Sequence, residues 1–206
     1  PAQVLPYIHR NEEQISFVEQ SASFVCITIA DFDLTVASIS SSQTMSILSR
    51  VLYEFDSILN STSRTIIKMR SFGDIYVAAG GFFSEVAIHP MTHAKECVKF
   101  GLDCIKRISE ITKTIGISLK LKVGVNTGGP VIVGILKTRL ASPTVNIIGS
   151  AFDVACEIMS GGEPMSVVIT SSVYEHIFGG SFSFRKGPDM MTNSAGFTQT
   201  YLVSPL

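Results

Sequence analysis

Asp31 closes the apolar run Phe24-Val25-Cys26-Ile27-Thr28-Ile29-Ala30, and Asp74 sits in Arg70-Ser71-Phe72-Gly73-Asp74-Ile75-Tyr76-Val77, between two strand-like runs. A carboxylate at the end of a buried strand is unfavourable unless something compensates it. Two such ends side by side repel each other unless a cation lies between them. A hard divalent ion with oxygen ligands meets that need, and Mg²⁺ in particular takes one or two carboxylates plus the phosphates of a substrate. The residue types therefore point to metal-assisted nucleotide chemistry. The competing reading of the same pair is a strand cap and a hairpin-turn aspartate. Asp33 is either a supplementary ligand or a solvated turn residue.

The elements that must position these groups can be read along the chain. Residues 1–20 read as a helical lead-in followed by an extended link, and 21–206 as a single domain. Residues 23–30 read as a buried strand. Ser40-Ser41-Ser42 offers helix caps, and Met45, Leu48, Leu52, Phe55 and Leu59 follow at spacings of three and four, one face of an amphipathic helix. Residues 64–69 and 75–79 flank Gly73-Asp74 as a β-hairpin. A second helix runs over about 91–115, with Cys97, Gly101, Cys104 and Ile108 on one face and His93 capping or packing near its start. Leu119, Leu121, Val123 and Val125 alternate with polar residues as a half-buried strand. Gly128-Gly129-Pro130 turns the chain into 131–136. A third helix covers roughly 149–160, facing the core with Phe152, Ala155, Cys156 and Met159. A strand at 167–170, a short helix at 171–178 and a hairpin of 182–185 with 197–203 complete the chain. The order β-α-β-β-α-β predicts an α+β fold with a ferredoxin-like βαββαβ core and a C-terminal αβ extension.

Bulk properties narrow the function classes. The chain has 206 residues, 46% of them hydrophobic, enough for a sizeable core, and a formal net charge of −1. That balance gives no basic footprint for nucleic acid. No apolar run approaches the roughly 18 residues of a membrane span, and no signal-peptide layout opens the chain. The first residue is proline, so a piece of a longer protein is expected. Cys26, Cys97, Cys104 and Cys156 form no C-x-x-C pair and lie in apolar or helical stretches, which predicts buried free thiols in a reducing compartment, with a disulfide or a zinc site as the alternative.

In this setting the chain resembles the class III adenylyl and guanylyl cyclase catalytic domains. The resemblance rests on Val4-Leu5-Pro6; on Ile29-Ala30-Asp31-Phe32 and the hairpin from Lys68 to Gly80; on His93-Ala94; on Val123-Gly124-Val125-Asn126-Thr127-Gly128 with Pro130-Val131 and Gly134; on 149–158; and on Thr200-Tyr201-Leu202-Val203. It implies conversion of ATP or GTP into the 3′,5′-cyclic nucleotide and pyrophosphate, with a two-metal site of Mg²⁺ or Mn²⁺ built across a dimer interface. By position, Asp31 and Asp74 become metal ligands, with the Phe32 backbone carbonyl beside them. Arg70 and Asn146 fall where the family reads the purine base, although Arg with Asn matches neither the adenine-reading nor the guanine-reading pair.

The third helix departs from the family. Its Asn and Arg, four residues apart on one helix face, are Asp153 and Glu157 here. No catalytic residue of that pair is retained, and an anion stands where a triphosphate would need a cation. The family's phosphate-binding Lys is absent, with Asn193-Ser194-Ala195-Gly196 in its region, and Asp33-Leu34-Thr35 replaces a glycine-containing turn. The expectation is a cyclase homology domain that supplies the metal half-site in cyclic-nucleotide signalling, weak or inactive alone. It would act as a homodimer or, more completely, as a heterodimer with a complementary cyclase domain. The alternative is a catalytically inactive regulatory or dimerisation module. The cytosol is the expected location, as a free domain or as the cytosolic part of a larger membrane protein.

Overall fold

The computed structural model describes residues 14–82, 88–138 and 141–205. In chain order the elements are β1 (Gln14–Glu19), β2 (Ala22–Ile29), α1 (Phe32–Val36), α2 (Ser41–Thr62), β3 (Ile66–Phe72), β4 (Ile75–Gly80), α3 (Pro90–Ile115), β5 (Leu121–Gly128), β6 (Val131–Thr138), β7 (Ala141–Ile148), α4 (Ser150–Gly161), β8 (Ser166–Thr170), α5 (Ser171–Ile177), β9 (Phe182–Lys186), β10 (Met190–Thr192), β11 (Gly196–Thr198) and β12 (Thr200–Pro205).

Seven strands form the main sheet in the order β3-β4-β2-β5-β8-β12-β9. Its first four strands, β3-β4-β2-β5, pair antiparallel and carry the ferredoxin-like core expected from the sequence. β8 then adds parallel to β5, reached through α4, and β12 and β9 extend the edge antiparallel. β2 lies in the centre and is buried on both faces. Val25, Ile27 and Ile29 point to the side covered by α2 and α3, where they meet Val51, Phe55, Cys104 and Ile108. Phe24 and Cys26 point the other way, onto Ala151, Ala155 and Met159 of α4 and Val131 and Val133 of β6. This is the strand period of two acting on a sheet with two apolar covers.

Two glycines carry the close approaches. A Cβ at Gly124 would run into the backbone of α4 at Ala155 and Met159, so its absence lets the helix lie directly on β5. Gly73, at φ 55, takes the left-handed position of the two-residue turn that joins Phe72 to Ile75.

Several expectations need correction. The lead-in helix lies outside the described residues, while 14–19 of the expected link form β1, which pairs with β6 in a separate three-stranded sheet β1-β6-β7. On α2 the buried stripe is Ile47, Val51, Phe55, Ile58 and Leu59; of the expected face, Phe55 and Leu59 are buried, Leu48 and Leu52 pack partly buried against the core, and Met45 is 63% exposed. This helix has two apolar stripes, and the sheet selects the one whose side chains reach β2. Its capping box joins Ser40 to Gln43, as the serine run suggested. At the C-terminus, β9 pairs with β12, whereas 196–198 fold back on β10 as a small hairpin of their own. All four cysteines are free; three are buried and Cys156 is half-buried. His89, not His93, caps α3 through its side chain. His93 packs inside, its Nδ1 2.7 Å from Ser23 Oγ, which in turn lies 2.5 Å from Thr127 Oγ1.

Candidate active site

β2 ends at Ile29, and the chain turns sharply at Asp31, whose backbone is left-handed at φ 51 and ψ 37. Aspartate is among the few non-glycine residues that enter this region readily. The turn starts α1, with the Asp31 carbonyl accepting from Thr35 N at 3.1 Å. It leaves the Asp31 side chain exposed rather than buried as the strand-end argument assumed.

Asp74 occupies the β3–β4 turn next to the end of β2 and is half-buried. Its Oδ2 accepts hydrogen bonds from the Thr28 hydroxyl and from Ile29 N–H, the latter at 3.2 Å. β2 itself therefore supplies part of the compensation that the sequence argument assigned to a cation alone. The hairpin is fixed further back. Tyr76, buried two residues beyond Asp74, donates its hydroxyl to Asp56 Oδ1 of α2 at 2.7 Å, and Lys68 pairs with Asp56 Oδ2 at 2.8 Å. Burial and the Asp56 bond push the Tyr76 hydroxyl well above the ordinary tyrosine range, so it remains a donor.

Asp31 and Asp74 border one cavity of about 470 Å³, together with Thr28, Phe32, Asp33 and Lys122. Lys122 stands opposite Thr28 on β5, and its Nζ donates to the Ser160 carbonyl near the end of α4 at 2.9 Å. Among the described residues there is no group of three or more His, Cys, Asp or Glu side chains able to hold a metal. Two carboxylates with an adjoining backbone carbonyl are a poor closed cage, but they suit a cation that keeps open positions for phosphate oxygens and water. The donor chemistry thus fits Mg²⁺ or Mn²⁺ accompanied by a nucleotide.

The other expected residues lie elsewhere. Arg70, exposed on β3, places its guanidinium 5.0 Å from the Phe152 ring centre and 5.4 Å from that of Phe72. Asn146 lies on β7 in the small sheet, donating from Nδ2 to Thr144 Oγ1 at 3.3 Å. Asp153 is exposed in the first turn of α4. Glu157 follows one turn on along α4. Its Oε2 accepts from Asn193 N–H at 2.6 Å and its Oε1 from the Ser194 hydroxyl at 2.7 Å, so both carboxylate oxygens are engaged by the β10–β11 turn. These bonds hold its carboxyl below the ordinary glutamate range.

Thr28 and Lys122 are two cavity residues to which the sequence reading gave no role. Thr28 offered one signal: it is the polar member of an otherwise apolar run, three residues before Asp31. Lys122 looked like any outward position of an alternating strand.

A ferredoxin-like sheet extended by β8, β9 and β12 and flanked by α4 is the architecture of nucleotide-cyclase catalytic domains. The family model for the adenylate and guanylate cyclase catalytic domain matches residues 17–205, and the chain belongs to that family. Among solved structures, the guanylate cyclase domain of RhGC from Catenaria anguillulae in complex with GTP superposes with a TM-score of 0.80 at 26% identity, covering 92% of this chain and 98% of that one. The adenylyl cyclase CyaB from P. aeruginosa gives a TM-score of 0.82 at 18% identity, with 93% and 97% covered. A non-canonical dimeric guanylyl cyclase domain of the RhoGC fusion protein from the aquatic fungus Blastocladiella emersonii gives a TM-score of 0.76 at 21% identity, with 92% and 97% covered. The last two likenesses concern the fold. No helix among the described residues is long and apolar enough to cross a membrane.

Proposed function

We propose that this chain supplies the metal-bearing half of a nucleotide cyclase site that is completed by a second chain, converting ATP or GTP into the 3′,5′-cyclic nucleotide and pyrophosphate. The observation that carries this is the shared cavity of Asp31 and Asp74, with Asp74 oriented by two donors from β2. Asp31, Asp74 and the Phe32 carbonyl would hold Mg²⁺ or Mn²⁺. When bound, such ions lower the pKa of the 3′-hydroxyl and offset the charge of the triphosphate.

The chain's own residues have three tasks. Thr28 and Ile29 N–H fix Asp74 so that its second oxygen stays free to ligate. The Asp31 turn presents a second carboxylate without burying it. Lys122 places a cation on the rim of a cavity that must receive phosphate oxygens. The remaining tasks, reading the base and placing a cation on the phosphates, fall to a partner cyclase domain that carries Asn and Arg where this chain has Asp153 and Glu157. Residues 21–206 would then act as one catalytic-type domain on the cytosolic side, within a homodimer or, as the half-site argument favours, a heterodimer.

One observation favours the second class of function, an inactive regulatory or dimerisation module. Glu157 is committed to the β10–β11 turn and Arg70 lies against Phe72 and Phe152, so the complementary half of the site is occupied by the chain's own contacts. Calorimetry with Mn²⁺ and a non-hydrolysable ATP or GTP analogue separates the two. The half-site predicts binding that Asp74→Ala abolishes; a pure scaffold shows no binding in either form.

A further inference from the structure

Cys26 and Cys156 stand 130 residues apart in sequence, yet their Sγ atoms lie 3.3 Å apart. Cys26 is fully buried on β2, while Cys156 is half-buried on α4, between Ala155 and Glu157. A disulfide needs about 2.05 Å between the sulfurs, so closure asks for an approach of little more than 1 Å between a strand and the helix packed on it. The two thiols differ in character. The Cys26 hydrogen bond, helped by the Arg70 guanidinium, draws the Cys156 thiol below the ordinary range against the opposing effects of burial, Asp153 and Glu157. The same bond and complete burial drive the Cys26 thiol well above it. Low-pKa, accessible cysteines beside a resolving thiol are the pattern of redox-sensing sites.

We propose that Cys156 and Cys26 form a reversible redox couple, in which a hydroperoxide oxidises Cys156 and Cys26 resolves it to a disulfide joining α4 to β2. In the first step the Cys156 thiolate attacks the peroxide. An S–O bond forms, the O–O bond breaks, and the leaving alkoxide or hydroxide takes up a proton; Cys156 becomes a sulfenic acid. In the second step the Cys26 sulfur attacks the sulfenic sulfur. An S–S bond forms, and the hydroxyl leaves as water with the Cys26 proton. A dithiol, or two equivalents of a monothiol such as glutathione, reverses the oxidation by thiol–disulfide exchange and is itself oxidised to the disulfide. The link would tie the helix that carries Asp153 and Glu157 to the strand whose Thr28 and Ile29 hold Asp74. It stands independently of the half-site proposal, because it requires no nucleotide.

Cys97 and Cys104 are internal controls, since both are buried on α3 and burial raises both thiols. The test exposes the folded chain to hydrogen peroxide, blocks remaining thiols with an alkylating agent, and maps the digest by mass spectrometry. The expected result is a peptide pair linked through Cys26 and Cys156, a free-thiol titre reduced by half, and full recovery with dithiothreitol. In the untreated chain Cys156 should be alkylated before the other three. In Cys26→Ser, a dimedone adduct should accumulate on Cys156. A titre that stays unchanged, or a wild-type chain in which Cys156 overoxidises while Cys26 stays free, overturns the couple. The linked-peptide measurement needs no variant, so a folding defect in Cys26→Ser does not rescue or sink the proposal.

Discussion

The Thr28 hydroxyl donates a hydrogen bond to Asp74 Oδ2, joining the central strand to the β3–β4 turn across 46 residues of sequence. With Ile29 N–H on the same oxygen, it fixes the carboxylate of a residue that lines the cavity. Carboxylates that ligate metals are generally held in this way by partners behind them.

Thr28→Val keeps the shape of the side chain and removes the donor. Loss of such a supporting bond typically weakens metal affinity by about 10–100-fold. Calorimetric titration of Mn²⁺ with a nucleotide analogue should show that loss with unchanged stoichiometry, while Thr28→Ser retains near-native affinity.

Glu157 gives a pH-dependent turn. Its folded pKa is depressed, by the Ser194 hydroxyl first and the Asn193 amide second. The stabilisation is therefore complete above the unfolded glutamate value, about 4.3, and is lost as pH falls through the lower folded value. The Asn193 amide resonance should titrate below pH about 4.3 and lose that transition in Glu157→Gln.

His93 acts over a higher window. Burial lowers its pKa to about 4, with His176 and His89 adding to the effect and Glu96 opposing it. Its folded pKa lies below the unfolded value of about 6.5, so stability is full above that value and falls as the pH drops from there towards 4. A shift of that size corresponds to about 3 kcal/mol. Thermal melts should lose stability across this range, and His93→Gln should flatten that part of the profile, even if its overall stability is lower.

The legibility of the chain follows the range of the interactions involved. β2, the Ser40 cap and the α3 core face were readable because each depends on neighbours within a few turns or strand residues. Asp31 and Asp74, singled out by the family motifs, border one cavity. Pairing of β1 with β6 was not readable, since a short strand reveals its partner only when a second sheet exists to receive it. On α2 the expected face holds Phe55 and Leu59 but misses Ile47, Val51 and Ile58, because adjacent stripes satisfy the same 3.6-residue period and only the sheet chooses which is buried most deeply. Glu157 read as a lost phosphate contact, but its bonds to Asn193 and Ser194 depend on how the β10–β11 turn folds over α4. The Cys26–Cys156 approach likewise exists only once α4 lies on β2.

The half-site account is tested most directly by a mixing assay for cyclic AMP and cyclic GMP, with Mn²⁺-ATP and Mn²⁺-GTP as substrates. The purified chain is assayed alone and with a cyclase domain that retains the Asn and Arg matching Asp153 and Glu157 but lacks its own metal aspartates. The account predicts product only from the mixture, abolished when this chain carries Asp74→Asn. Ordinary cyclase turnover by this chain alone, or mixture activity that survives Asp74→Asn, would contradict it.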